Sequence, residues 1–151
     1  MNAKKRLMIV GAAVIPTAAA IAADFGLFYA LLRVTTAIIE HRVRALFAVC
    51  VVLLLLGGLV FPAAEWITWM VLSKTGAPEK KVLHIASLIG AAVFALMMAL
   101  VFPKSLKLLF VYLPKSEHGP GLSLLFFQLF SYAGAVLCGI VHAAALCLSK
   151  K

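Results

Sequence analysis

The sequence predicts an all-α, polytopic integral membrane protein with four transmembrane helices in an up-down bundle and both termini on the same side. Of its 151 residues, 65% are hydrophobic and the mean hydropathy is +1.12, whereas a soluble domain of this size is about half apolar. The apolar residues form long runs and the basic residues flank them, which is the pattern of membrane helices. No polar stretch is long enough for a second domain, so residues 1–151 are predicted to form a single transmembrane domain.

Four apolar runs are long enough to cross a hydrocarbon core of roughly 30 Å as helices. The predicted spans cover about residues 7–32, 45–72, 82–102 and 122–148, with a loop between Arg33 and Arg44. The third run is the clearest, because residues 84–102 contain no formally charged side chain. Four spans place both termini on one side, and the basic residues divide eight to six in favour of that side. This division favours termini that face inside.

Small residues recur every four positions in the third and fourth spans, so they form one stripe along each helix. Such stripes allow membrane helices to approach closely. We therefore expect these two spans to pack against each other, and the packing surface exceeds what a lone bundle needs. The stripe residues are Ser87, Ala91, Ala95 and Ala99 in the third span, and Ser131, Ala135, Gly139 and Ala143 in the fourth.

The net charge of +9 is explained by basic residues at the ends of the apolar runs, where they meet anionic lipid headgroups. No basic and aromatic surface remains for nucleic acid, so none is expected as a partner. Arg33, Arg42 and Arg44 are candidate contacts for lipid or another anion. The expected partners are the bilayer, anionic lipids and other membrane subunits. The expected location is a bacterial inner membrane or an organelle membrane.

Two acidic residues, Asp24 and Glu65, are predicted to be intramembrane. A buried, unpaired carboxylate is costly when ionised, so an intramembrane acid is a candidate functional site. Asp24 shares a helix face with Thr17 and Ala20, and that face should point at another helix. We expect Asp24 to be protonated, packed against protein, or paired with Arg33 or a histidine. Glu65 follows Pro62 beside two tryptophans, which favours a position near the membrane interface.

His84 lies near the start of the third span and His142 lies near the end of the fourth. Because adjacent spans run antiparallel, both imidazoles are expected toward the same leaflet. Two imidazoles on facing helices are what a bis-imidazole haem b requires. The alternative is that each makes a hydrogen bond across a helix interface. The sequence thus offers haem b as a possible cofactor, without deciding between these two roles.

No metal site is expected from the sequence. Cys50, Cys138 and Cys147 lie in apolar runs without CxxC spacing, which argues against a disulfide framework, a zinc site or a redox dithiol. Buried free thiols in helices are mostly packing residues. His41 and His118 are predicted loop residues with too few other ligands nearby.

No motif in the sequence names a reaction, so catalysis is not favoured. The preferred hypothesis is a non-catalytic subunit or accessory of a larger membrane complex, since polar residues inside the spans are few and packing stripes are abundant. One alternative is a cytochrome-like subunit that binds haem b or another redox cofactor through His84 and His142. The other is a small transporter or channel that uses the intramembrane carboxylate of Asp24.

Overall fold

The computed structural model describes residues 3–41, 46–74, 79–107 and 118–148. These residues form four α-helices, each long and apolar enough to cross a membrane. No membrane accompanies the structure, and the helices qualify by length and composition. Their bounds are α1 Ala3–His41, α2 Leu46–Lys74, α3 Lys80–Lys107 and α4 His118–Leu148.

The first helix continues through most of the segment that was predicted to be a loop. α1 ends at His41, so the prediction of a loop from Arg33 onward is wrong for the described part of that segment. Residues 33–41 contain neither glycine nor proline, so nothing in the backbone chemistry stops the helix. Thr35 and Thr36 also lie within the helix, where each hydroxyl is satisfied by donating to a carbonyl one turn earlier, at 2.8 Å.

The other predicted spans coincide with helices that extend beyond them. α2 is one helix of 29 residues that includes Pro62, and α4 begins at His118, four residues before the predicted start. Arg42 and Arg44 lie outside the described residues. The helices are therefore longer than the apolar runs and include charged and polar residues at their ends, because a helix can continue past the hydrocarbon into the headgroup region.

The core of the bundle combines phenylalanine rings with alanines from all four helices. Phe61 of α2 and Phe94 of α3 are almost fully buried, and their ring centroids lie 5.3 Å apart. Ala20, Ala91 and Ala135 pack in the same cluster. Small residues on three helices leave space for the two large rings, so the core is filled without large side chains on every helix.

Several glycines mark places where helix backbones come close together. A Cβ atom added at Gly134 of α4 would collide with the carbonyl oxygen of Gly58 of α2. A Cβ at Gly57 would lie 2.8 Å from the Phe127 ring, and one at Gly90 would lie 2.9 Å from the Thr17 hydroxyl. The Gly58–Gly134 contact is the tightest of these, because both partners are backbone.

The two predicted packing stripes lie mostly between α3 and α4. Ser87, Ala91, Ser131, Ala135 and Gly139 are buried, Ala95 and Ala143 are partly buried, and Ala99 is exposed. A Cβ at Gly139 would be 3.6 Å from that of Ala91, an ordinary van der Waals distance. The tightest glycine contact of α4 is therefore with α2, which the stripes did not indicate.

Candidate functional site

Both predicted intramembrane carboxylates lie inside the bundle. Asp24 of α1 is 6% exposed and Glu65 of α2 is 4% exposed. A carboxylate removed from water requires hydrogen bonds or a charge partner. In the described residues, each of the two finds such a partner on α4.

Asp24 pairs with a serine. The Ser131 hydroxyl donates to Oδ1 of Asp24 at 2.6 Å, and Ser131 itself is 1% exposed. Thr17 and Ala20, which share the Asp24 face of α1, are also buried. A Cβ at Gly57 of α2 would lie only 3.2 Å from the Ser131 oxygen, so the α2 backbone covers this pair.

The cationic partner that was expected for Asp24 lies elsewhere. Arg33 is exposed, and its guanidinium donates two hydrogen bonds, of 2.7 and 2.9 Å, to the Tyr29 hydroxyl one turn earlier. Its carbon Cζ also lies 5.2 Å from the centroid of the Tyr29 ring. Arg33 therefore occupies the outer surface, where contact with lipid headgroups stays a prediction.

Glu65 is the centre of a larger cluster. Its Oε1 lies 2.8 Å from Nε2 of His142, and its Oε2 accepts a hydrogen bond from the Cys138 thiol at 2.6 Å. Ser87 of α3 lies beside the carboxylate. The contact of Oε1 with His142 lacks hydrogen-bond alignment, and no other described residue hydrogen-bonds to this oxygen. Oε1 is therefore a buried acceptor beside His142 without a hydrogen-bond donor among the described residues.

The structure brings His84 and His142 into direct contact. Their Nδ1 atoms are 2.8 Å apart, so one nitrogen donates a proton and the other accepts it. Trp69 of α2 packs on both rings, with centroid distances of 5.0 and 5.6 Å. The indole N–H donates to Ser87 Oγ at 2.9 Å. One polar cluster therefore joins α2, α3 and α4.

The contact between the imidazoles bears on the haem hypothesis. A bis-imidazole haem requires the porphyrin plane to lie between two axial nitrogens. Here the His84 and His142 ring centroids are 5.1 Å apart and the rings touch through their nitrogens. This arrangement suits a hydrogen bond or a small ion. Haem binding stays a prediction that a reduced-minus-oxidised absorption spectrum can test.

A polar seam on α4 connects the two carboxylate sites, and sequence reasoning missed it. We define the α4 seam as Gln128, Ser131, Ala135, Cys138 and His142, which alternate at spacings of three and four. That spacing keeps side chains on one helix face. Four of the five are polar or ligand-type residues, and Oε1 of the buried Gln128 has no hydrogen-bond partner among the described residues. The alternating spacing of three and four residues is visible in the sequence, but the predicted stripe used a spacing of four only.

Three side chains in this cluster are of metal-ligand type. One potential ligand atom from each of Glu65, Cys138 and His142 lies within 4.8 Å of the other two. Glu65 of α2 precedes Cys138 by 73 positions, whereas Cys138 and His142 are four residues apart on α4. Ligand spacing within a local stretch of sequence cannot reveal such a set.

Comparison of the chain with known protein families, with curated protein sequences and with solved structures gives no match.

Proposed function

We propose that this chain is a small multi-pass membrane protein that binds a cation inside its helix bundle and passes it across the membrane. The observation that carries the proposal is the cluster of buried Glu65 with the partly buried Cys138, His142 and His84, enclosed by three candidate membrane spans. This is the transporter or channel hypothesis of the sequence analysis, but with Glu65 rather than Asp24 at its centre.

The electrostatics of the interior favour a cation. Among the described residues, the buried polar and charged set contains two carboxylates and neither lysine nor arginine, although the whole chain carries +9. Lys80, at the start of α3, acts electrostatically on His84 from the exposed end of the cluster. Charge buried in a membrane is costly and marks ion pathways. An interior whose buried acidic and basic side chains, among the described residues, are both carboxylates is suited to stabilise a positive ion.

The α4 seam supplies polar groups along much of the membrane thickness. From Gln128 to His142 the helix rises roughly 21 Å, compared with a hydrocarbon core of about 30 Å. The seam meets Asp24 near its beginning and Glu65 near its end. These two sites can serve as successive stations for an ion that crosses the bundle.

The proposal includes an up-down arrangement with both termini on one side of the bilayer. Two contacts support a parallel arrangement of α2 and α4, since Gly57 faces Phe127 and Glu65 faces His142, in the same order along both helices. Two others support an antiparallel arrangement of α3 and α4, since His84 faces His142 and Ala91 faces Gly139, in opposite order. Reporter fusions that place the two termini on opposite sides would contradict this arrangement.

We predict that Glu65→Gln lowers cation flux by roughly tenfold or more, because it removes the central negative charge of the cluster while preserving its shape. The measurement uses the purified full chain in liposomes, with indicators for protons, potassium, magnesium and zinc tested in turn. Glu79→Gln is the matched control, since Glu79 is an exposed carboxylate before α3. Folded Glu65→Gln protein with unchanged flux of every ion would contradict the proposal.

The second candidate is the accessory-subunit function that the sequence favoured. It is supported by a groove of about 680 Å³ between α1 and α2, open to the outside of the bundle. Ala19, Ala23 and Gly26 line the groove on α1 and are exposed. Small residues at such spacing accept a partner's transmembrane helix. A chain that carries no flux alone, and that migrates in a larger complex from native membranes, would favour this candidate.

A further inference from the structure

We propose that the cation of this cluster is a divalent transition metal of the zinc class, bound by Glu65, Cys138 and His142. The inference names the ion for the proposed function and rests on it for the step of transport. The binding site itself follows from the geometry of three side chains. It differs from the sequence-based expectation, which assigned the cysteines to packing.

The three ligand atoms are already close to the positions that a metal requires. Tetrahedral zinc, with bonds of about 2.0–2.3 Å, holds its ligand atoms roughly 3.3–3.6 Å apart. Here one ligand atom from each residue lies within 4.8 Å of the other two. The two Glu65 oxygens reach the two α4 ligands separately, with Oε1 2.8 Å from His142 Nε2 and Oε2 2.6 Å from Cys138 Sγ. Small side-chain displacements would open these contacts enough to admit an ion. Cys138 and His142 are four residues apart, so α4 presents both on one face.

The charges of this set balance a divalent ion. Binding forms one bond each from the metal to the Glu65 carboxylate, the Cys138 sulfur and the His142 nitrogen. The Cys138 S–H bond breaks, and its proton leaves to water at the His84 end of the cluster. Two anionic ligands then neutralise the 2+ charge, so the loaded site carries no net charge. Neutrality matters inside a membrane, where an uncompensated charge is costly.

The groups around the three ligands are placed to orient them. With Nε2 of His142 on the metal, its Nδ1 carries the ring proton and can donate to His84 Nδ1, 2.8 Å away. Metal-bound histidines usually donate their second N–H in this way, which fixes the ring orientation. Ser87 lies beside the Glu65 carboxylate and accepts the Trp69 N–H. His84 and Ser87 are therefore positioning residues.

The ligand chemistry selects the class of ion. A thiolate and an imidazole favour zinc, cobalt and copper, whereas magnesium, calcium and alkali ions prefer oxygen ligands. Three protein ligands leave one tetrahedral position for water, as in catalytic zinc sites. Fewer protein bonds to the ion suit a site that must release it.

The test titrates the purified full chain with cobalt(II), because a cobalt–thiolate bond gives a near-ultraviolet charge-transfer band. We expect that band at one equivalent, together with its displacement by zinc. Cys138→Ser should abolish the band, while Cys147→Ser, an exposed thiol of the same helix, should keep it. His84→Asn should weaken cobalt affinity by roughly ten- to a hundredfold without removing the band.

Two results would overturn the metal site. One is the absence of a thiolate band in the wild-type chain, a measurement that does not depend on how any variant folds. The other is an unchanged band in Cys138→Ser. Flux of protons or alkali ions that requires Glu65, without cobalt binding, would overturn this inference and leave the proposed function standing. Stoichiometric cobalt binding without any cation flux would support the site and contradict transport.

Discussion

Gly134→Ala is expected to destabilise the protein by roughly 2–3 kcal/mol, the upper part of the range for overpacking. The new Cβ would collide with the Gly58 carbonyl oxygen and would lie 2.8 Å from the carbonyl carbon and 3.1 Å from Cα. All three atoms are backbone, so no side chain can rotate away, and α2 and α4 must separate. The measurement is thermal or SDS unfolding of the purified protein in detergent.

Gly26→Ala is the control for that experiment. Gly26 is in the interior of α1, and a Cβ there would meet nothing within 4 Å among the described residues. Alanine is favoured over glycine in a helix by roughly 0.5–1 kcal/mol. The same substitution should therefore lower the free energy of unfolding at Gly134 and raise it at Gly26. Equal stability of the two variants would show that the Gly58–Gly134 approach is not a tight contact.

Ser131→Ala is expected to cost about 3 kcal/mol, because it leaves a buried carboxylate without its hydrogen-bond donor. Ser131 is 1% exposed and Asp24 is 6% exposed, so water cannot readily take the place of the hydroxyl. Asp24→Asn should cost less, since the amide oxygen can still accept the bond of 2.6 Å. The measurement is unfolding of each single variant in detergent.

The double variant Asp24→Leu with Ser131→Ala extends this test. Replacing both partners of a buried polar pair by apolar groups is often nearly neutral, so the double variant should be more stable than Ser131→Ala alone. Ser73→Ala is the matched control, because the Ser73 hydroxyl is exposed at the end of α2. A loss in Ser131→Ala no greater than in Ser73→Ala would argue against the pair as a source of stability.

The sequence predicted the number and type of helices in the described residues because hydropathy reports directly on long apolar helices. It failed at the end of α1, where Arg33 was treated as a stop. A single arginine does not end a helix when its side chain can extend outward, here to the Tyr29 hydroxyl. Residues beyond it carry no helix-breaking signal, so the backbone continues to His41.

The candidate site was only partly accessible to sequence reasoning. The positions of His84 and His142 along two adjacent spans suggested that they share a leaflet, and in the structure they touch. Glu65 and Cys138 could not be joined to them, because the rotation of each helix about its axis determines which residues meet. Hydropathy gives little information on that rotation when every face of a helix is apolar.

The backbone contact between Gly58 and Gly134 has a consequence for hydration of the bundle. It falls on α4 between Ser131 and Cys138, and so between the Asp24 pair and the Glu65 cluster. Water cannot enter between α2 and α4 at this contact, and the seam residue at that level, Ala135, is buried in the apolar core. Under the proposed function, the two polar sites would act as separate wells, each in equilibrium with its own membrane face. Crossing would then wait for α2 and α4 to part, a microsecond-to-millisecond motion, and the resting protein would not leak ions.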